Sequence, residues 1–339
     1  MKSWQITECT GPSGLSLVDV PEPKPGPEEV LVRIRAASLN YRDLGMTRRE
    51  RPGNLPLPFT VCSDGAGEVM AVGDQVSQWK IGDRVMPTFF QDWTSGGMTR
   101  EVMQSALGGA LPGVLSEMVV AGESGLVRIP DCLSYEEAAT LPCAGVTAWN
   151  ALISHGGLKA GETVLTLGTG GVSIFALQFA KLHGARVIIT SSCDEKLKRA
   201  RELGADETIN YKTTQDWERQ VLELTRRRGV DHVIELGGAG TLQKSLEAVR
   251  YGGRVSMIGV LTGFEGMVNP WPVIARSVTL QGIYVGSRTM FEDMNQAISK
   301  NALKPVIHRV FEFADARAAF EVMATASHFG KLVVRTGVP

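Results

Sequence analysis

Two patterns of apolar and polar positions divide the chain. Over roughly the first 125 residues the apolar positions come in short runs, such as Glu29-Val-Leu-Val-Arg-Ile-Arg-Ala-Ala, Gly65-Ala-Gly-Glu-Val-Met-Ala-Val-Gly and Gly82-Asp-Arg-Val-Met-Pro, cut by Gly and Pro. Runs of that kind predict the short strands of a compact, mostly-β domain. From about Ser134 the pattern lengthens into alternating helix and strand, beginning with an amphipathic stretch between Asp131 and Gly156. Strands are predicted at Thr163–Leu167, Arg186–Thr190, Asp231–Leu236, Arg254–Gly259 and Val278–Val285, with helices at Ile174–Leu182, Gln215–Arg228 and Thr241–Val249. That alternation predicts an α/β doubly wound parallel sheet. Helices return from Met290, and a last strand is expected at Lys331–Arg335.

Between the first predicted strand and helix of the alternating region lies Gly168-Thr-Gly-Gly-Val-Ser173. Glycines there allow a tight strand-to-helix turn and bring backbone N–H groups and the positive helix N-terminus up to a pyrophosphate. The third glycine of the usual fingerprint is Ser173, and a lone glycine-rich stretch is weak evidence, since an ordinary turn looks the same. Here Gly184 and the strand Arg186–Thr190 complete a βαβ unit of the expected size, which favours a dinucleotide cradle built on Gly168, Gly170, Gly171 and Val172. An NAD site places a carboxylate about 20 residues after the motif, on the ribose 2′-hydroxyl. This strand instead runs out into Ser191-Ser192, with Asp194 and Glu195 later and followed by Lys196. A 2′-phosphate would meet hydroxyls and a cation, so NADP(H) is favoured. Taken alone, Lys196 reads equally well as the opening of a solvated helix.

The chain has 339 residues, enough for two cores, and a net charge of −1, which offers no electrostatic footprint for nucleic acid or membrane. No apolar run approaches a membrane span and no signal-peptide apolar region follows Met1, so a soluble, cytoplasmic protein is expected. Five dispersed cysteines suit reduced thiols better than a disulfide framework.

Over its whole length the chain resembles the medium-chain dehydrogenase/reductases, in their zinc-free, quinone-oxidoreductase-like branch. The resemblance is carried by Ser38-Leu-Asn-Tyr-Arg-Asp43, Gly65-Ala-Gly-Glu-Val with Val72-Gly73, Gly82-Asp-Arg-Val85, Leu141-Pro-Cys-Ala-Gly-Val-Thr-Ala148, the glycine cradle, and Leu203-Gly-Ala-Asp with Ile209-Asn-Tyr211. It implies a GroES-like catalytic domain over 1–125, a Rossmann domain over 126–288, and a segment 289–339 that completes the first domain, with an active cleft between the two. It places Lys196 and Tyr211 beside the 2′-phosphate and Gly237 at the cofactor, and it sets Thr147 and Ile258-Gly259-Val260 around the nicotinamide. Ser287, Arg288 and Lys331 resemble positions near the cofactor and the interdomain seam.

Metal-dependent members of such a family hold zinc with cysteine and histidine ligands and one open position. Here the cysteine is missing from Asn40-Tyr-Arg-Asp43, Ser63 stands where the histidine would lie, and Cys143 remains alone at the third position. No histidine precedes His155, and Thr88–Gly122 contains none of the four cysteines of a structural zinc lobe. Neither zinc is therefore expected. Without a Lewis acid to hold charge on an isolated carbonyl oxygen, hydride transfer is easier onto a conjugated acceptor, a quinone or an α,β-unsaturated carbonyl.

Candidate catalytic groups are Tyr41 as proton or hydrogen-bond donor, Asn40 as an orienting amide, and Asp43. The alternatives are that Tyr41 is pocket wall and that Asp43 pairs with Arg42 or Arg84. Phe89-Phe90-Gln91-Asp92-Trp93 reads either as an aromatic wall for an apolar substrate or as domain core. Arg48-Arg49-Glu50-Arg51 suits an acyl-CoA phosphate but more simply a solvated loop, and Arg226–Arg228 would close a helix at its negative end. Three readings follow: an NADPH-dependent quinone or enone oxidoreductase, a 2-enoyl-thioester reductase, and an NADPH-binding protein with little catalysis. The β-prone segment Val278–Val285 predicts a homodimer through a sheet edge that would otherwise stay unpaired.

Overall fold

A computed structural model describes residues 1–48 and 56–336. The chain divides into two compact units, 1–146 with 286–339, and 147–285. The contact boundary thus falls after Val146, later than the 125/126 division expected from sequence. The helix Tyr135–Ala138 stays with the first unit because it packs on that unit's strands.

The first unit is built from β1 (Lys2–Ile6), β2 (Leu15–Asp19), β3 (Glu29–Ser38), β4 (Phe59–Thr60), β5 (Asp64–Val72), β6 (Arg84–Pro87), β7 (Met118–Gly122) and β8 (Leu126–Arg128). The second holds β9 (Thr163–Thr166), β10 (Arg186–Ser191), β11 (Glu207–Asn210), β12 (Val230–Glu235), β13 (Val249–Met257) and β14 (Thr279–Gly282). The chain then returns to the first with β15 (Ile307–Glu312) and β16 (Lys331–Arg335).

In the first unit, β3 is the spine. It pairs antiparallel with β5, β7 and β16, and buries Val30, Val32, Ile34 and Ala37 in a core shared with Trp4, Leu44, Val61, Phe320 and Val334. The closing strand β16 matches its predicted span, and pairing of Val333 with Ser38 completes the unit from the far end of the sequence. Leu39 N–H donates to Leu332 O at 3.0 Å, which carries the pairing past the end of β3 and sets Lys331 beside Asn40. Phe89, Phe90 and Trp93 are buried and edge-packed on one another, so the aromatic cluster is core here and not an exposed wall.

The second unit is a six-stranded parallel sheet in the order β11-β10-β9-β12-β13-β14. This is the doubly wound dinucleotide-binding order, with its reversal between β9 and β12. Continuous burial along β9 and β12 fits strands covered on both faces. Two predicted elements come out shorter. The helix expected over Gln215–Arg228 spans Trp217–Leu224, because Arg226 and Arg227 adopt left-handed φ of 52° and 62°. Arg228 is then turned onto Asp231 with two hydrogen bonds and does not cap the helix. The strand expected over Val278–Val285 pairs only at Thr279–Gly282, and Val285 turns away with φ 59°. As expected, β14 is the sheet edge; Met267, Trp271, Ile274 and Leu280 around it are exposed, Met267 fully. Among the described residues no helix is long and apolar enough to cross a membrane, and all five cysteines are free.

Candidate active site

The cradle follows directly from β9. Gly168 has φ 78°, a conformation that disfavours any side chain, and its N–H donates to Thr190 Oγ1 at 3.2 Å, tying the turn to β10. The helix Gly171–Leu182 has no side-chain cap on its first turn. Ser173 does not supply one, because its hydroxyl donates back to Leu167 O at 2.7 Å. A Cβ at Gly168 or Gly170 would meet nothing within 4 Å, so the open space before the helix N-terminus is space that side chains would fill. Uncapped N–H groups, a positive helix end and cleared space suit a pyrophosphate, and the cradle fits a dinucleotide. At the end of β10, Ser191 is buried and Ser192 exposed, Lys196 is partly buried with its pKa lowered by that burial, and Tyr211 is exposed.

At the end of β12 lies a buried carboxylate that sequence reasoning passed over. Glu235 Oε1 accepts from Gly237 N at 2.7 Å, Gly238 N at 3.0 Å and Thr241 Oγ1 at 2.5 Å, while Ser245 Oγ donates to Oε2. It thereby fixes the loop that carries Gly237, where a Cβ would come within 2.1 Å of Thr241 Oγ1. The signal was present as an acid at a strand end directly before Leu-Gly-Gly. Ile258, Gly259 and Val260 continue from β13, with Ile258 N–H donating to Glu235 O at 2.9 Å. Thr147 is buried at the start of the second unit.

In the first unit, Asn40 precedes the helix Tyr41–Thr47, and Tyr41, at its first position, is 47% exposed. Asp43 does not pair with Arg42 or Arg84 as weighed from sequence. Its Oδ2 accepts from Asn40 N at 2.8 Å, which caps the helix, and its Oδ1 is buried with no hydrogen-bond partner. Burial drives the Asp43 pKa up to about 6, against the opposing pull of Arg42. Arg42 spends its guanidinium on Leu107 O and Gly108 O and lies over Phe89, and Arg84 donates to Leu133 O and lies over Tyr135.

The three positions at which a metal-dependent relative would hold zinc converge here on a polar ladder. Lys331 Nζ donates to Leu39 O and to Asn40 Oδ1, both at 2.5 Å. Asn40 Nδ2 lies 3.4 Å from Ser63 Oγ, which donates to Asp64 Oδ1 at 2.7 Å. Asp64 Oδ2 accepts from Cys143 N at 3.0 Å. Burial raises the Asp64 pKa and, more strongly, those of the Cys62 and Cys143 thiols. No group of three metal-ligating side chains occurs among the described residues. Lys331, expected near the cofactor and the interdomain seam, uses two of its donors in this ladder. Ser287 and Arg288 are likewise engaged within the first unit: Ser287 Oγ caps the helix Arg288–Asn301, and Arg288 donates to Ser124 O, Gln78 Oε1 and Glu292 Oε1. Of Arg48-Arg49-Glu50-Arg51, residues 49–51 lie outside the described residues.

Sheet order, cradle and clamped loop together define a dinucleotide-dependent oxidoreductase with an appended β unit. The alcohol dehydrogenase GroES-like domain family matches residues 26–131, and the zinc-binding dehydrogenase family matches 171–300. A zinc-type alcohol dehydrogenase-like protein of Schizosaccharomyces pombe is 44% identical over 94% of this chain and 93% of its own. A quinone oxidoreductase of Pseudomonas aeruginosa is 32% identical over 98% and 99%. Among solved structures, a Sinorhizobium meliloti 1021 protein assigned as an alcohol dehydrogenase superposes with a TM-score of 0.93 at 43% identity, covering 99% of this chain and 98% of that one. An NAD-dependent alcohol dehydrogenase gives 0.91 at 34%, covering 99% and 100%, and a mycobacterial protein complexed with NADPH gives 0.84 at 29%, also covering 99% and 100%. The chain belongs to the medium-chain dehydrogenase/reductase superfamily, among its alcohol dehydrogenase-like and quinone oxidoreductase-like members. It is an oxidoreductase of that superfamily, and its cofactor is a nicotinamide dinucleotide.

Proposed function

We propose that the protein is an NADPH-dependent, metal-independent reductase of quinones or α,β-unsaturated carbonyls. The observation that carries this reading is the ladder Lys331-Asn40-Ser63-Asp64. At the position of a metal's ligand set it offers amide and hydroxyl hydrogen bonds backed by a buried ammonium. Such groups suffice for charge spread over a conjugated system, which needs less stabilisation than the charge localised on one alkoxide that a Lewis acid would hold. NADPH, when bound, supplies the hydride. On this reading Gly168, Gly170, Gly171 and Val172 hold the pyrophosphate, and Ser191, Ser192, Lys196 and Tyr211 meet the 2′-phosphate. Thr147, Gly237 and Ile258–Val260 surround the nicotinamide end. Asn40 orients the substrate oxygen and Tyr41 delivers the proton. The protein works in the cytoplasm on a small apolar substrate, as a homodimer paired through β14 and the apolar surface around it.

The test is NADPH and NADH oxidation against a quinone, a free enone and a crotonyl thioester, before and after chelation. Turnover of the quinone or enone with NADPH, unaffected by chelator, is expected. Turnover of the thioester alone would make the protein a 2-enoyl-thioester reductase, absence of turnover with tight NADPH binding would make it a binding protein, and loss of activity on chelation would overturn metal independence.

A further inference from the structure

We propose that Lys331 is a positioning residue that fixes Asn40 as a hydrogen-bond donor to the substrate oxygen. An asparagine amide is ambiguous on its own, because its oxygen and nitrogen exchange places with little change in shape. Lys331 removes the ambiguity: an ammonium has three donors and no acceptor, so only Oδ1 of Asn40 can face Nζ. With Oδ1 held there at 2.5 Å, Nδ2 must face the other way. Its first proton is directed at Ser63 Oγ, which accepts because its own proton goes to Asp64 Oδ1 at 2.7 Å. Asp64 is fixed in turn by the Cys143 N–H at 3.0 Å, so each member of the ladder has one possible direction of donation. The Asn40 side chain also hydrogen-bonds the Asp64 carboxylate, and an incoming oxygen takes over that second proton of Nδ2.

The arrangement is preorganised at both ends. Lys331 is 3% exposed, and its second bond, to Leu39 O, anchors the ammonium to the backbone immediately before Asn40. Pairing of β16 with the end of β3 sets the height of Lys331 along the sheet, so neither partner of the contact depends on a flexible loop. A positive charge against the amide oxygen polarises the amide and strengthens donation from its nitrogen. Donors held in place before charge appears cost no reorganisation when it does. The role differs from a cofactor contact, because the Lys331 ammonium acts through Asn40. It rests on the reductase reading above for the identity of the oxygen, though not for the orientation of the amide.

Two measurements separate the orientation from its consequence. In 15N-labelled protein, the Asn40 side-chain amide pair, identified by its disappearance in Asn40→Ala, is expected to shift and lose exchange protection in Lys331→Met, and to return towards its original position in Lys331→Arg. An unchanged pair in Lys331→Met overturns the proposal, whether or not any substrate is turned over. In the kinetic cycle, Lys331→Met is expected to lower kcat with an enone by about 10-fold to 100-fold, the range for a weakened oxyanion donor. Fluorescence titration should leave its NADPH affinity within about 2-fold, and Lys331→Met with Asn40→Ala should be no slower than Asn40→Ala alone. Losses that multiply in the double variant, or a 10-fold weaker NADPH affinity with kcat retained, would overturn it. If Lys331→Met does not fold, Lys331→Arg carries the cycle, with a smaller loss expected and the same absence of multiplication. A wild type that turns over no acceptor sinks the reductase reading alone, and the amide resonances still decide the orientation.

Discussion

Replacing Glu235 tests whether the cofactor edge of the second unit is held by one buried carboxylate. Four donors converge on it: two backbone N–H groups of Gly237 and Gly238, and the hydroxyls of Thr241 and Ser245. A hydrogen bond to a charged group contributes about 1.5 to 3 kcal/mol, against about 0.5 to 1.5 for a neutral pair, so each loses roughly 1 kcal/mol when the charge goes. Glu235→Gln keeps an acceptor towards the glycines and lets Ser245 turn to accept, which spares part of the sum. A loss of about 2 to 4 kcal/mol in stability is expected. Glu235→Ala leaves the donors buried without a partner and should cost more, because each orphaned group forfeits about 1 to 3 kcal/mol. Ser245→Ala removes one donor and should cost about 1 kcal/mol. Denaturant unfolding reads these differences, and a parallel NADPH titration shows whether they reach the loop at Gly237. There Glu235→Gln should bind several-fold more weakly, while Ser245→Ala stays near wild type. A Glu235→Gln protein within about 0.5 kcal/mol of wild type would refute the clamp, since that is the scatter of an ordinary surface change.

Lys196→Ala should weaken NADPH by about 1 to 3 kcal/mol while hardly moving NADH, as for loss of a charge-assisted hydrogen bond; equal affinities for the two cofactors in the wild type would defeat the assignment. Tyr41→Phe should lower kcat for an enone by roughly 100-fold, with a smaller effect on a quinone, whose reduced oxygens take protons from water; an unchanged enone kcat would make Tyr41 pocket wall. Asp231 is a stability prediction with a defined pH window. Its burial favours the neutral acid, but hydrogen bonds from Arg228, Arg250 and the Thr163 N–H outweigh that and hold its pKa at about 2, against an ordinary 3.8. A lowered acid pKa stabilises the fold above the unfolded value, and that contribution fades as pH falls from about 4 to 2, amounting to about 2 kcal/mol at neutral pH. Asp231→Asn should lose that amount at pH 7 and show a flatter acid limb in urea unfolding; identical acid limbs would count against it.

How much could be read from the sequence depended on how local the cause was. Gly168 and Gly170 announce the cradle because only a turn with no Cβ allows that approach, and β16 is legible from the apolar run Leu332-Val-Val334. The Trp217–Leu224 helix ends earlier than its pattern suggests, although Arg226 and Arg227 look like good C-terminal residues. They make a left-handed turn instead, and Arg228 beyond it hydrogen-bonds Asp231. Composition equally allowed Phe89, Phe90 and Trp93 to be wall or core, and only packing separates the two. The ladder is the clearest case of a non-local site. Lys331 and Asn40 lie at opposite ends of the chain, and nothing in either segment says that an ammonium and an amide will meet.

Two buried carboxylates pose a charge problem that the side chains of the first unit answer among themselves. Asp43 and Asp64 are both fully buried near one another, and two buried carboxylates are unfavourable without a cation. The nearby positive groups are Arg42 and Lys331, so the formal charges match two against two. The compensation is uneven. Asp64 has hydrogen bonds on both oxygens, whereas Asp43 has one oxygen satisfied and one orphaned, and its pKa sits at about 6. A raised acid pKa favours the fold below the unfolded value, and that advantage is lost as pH rises from about 4 through 6, so near neutrality Asp43 carries its charge at a cost to stability. In return Asp43 caps the helix that begins at Tyr41 and holds the Asn40 backbone N–H, while Lys331 holds the Asn40 side chain. A carboxylate on its backbone N–H and an ammonium on its side-chain oxygen hold one small amide in place.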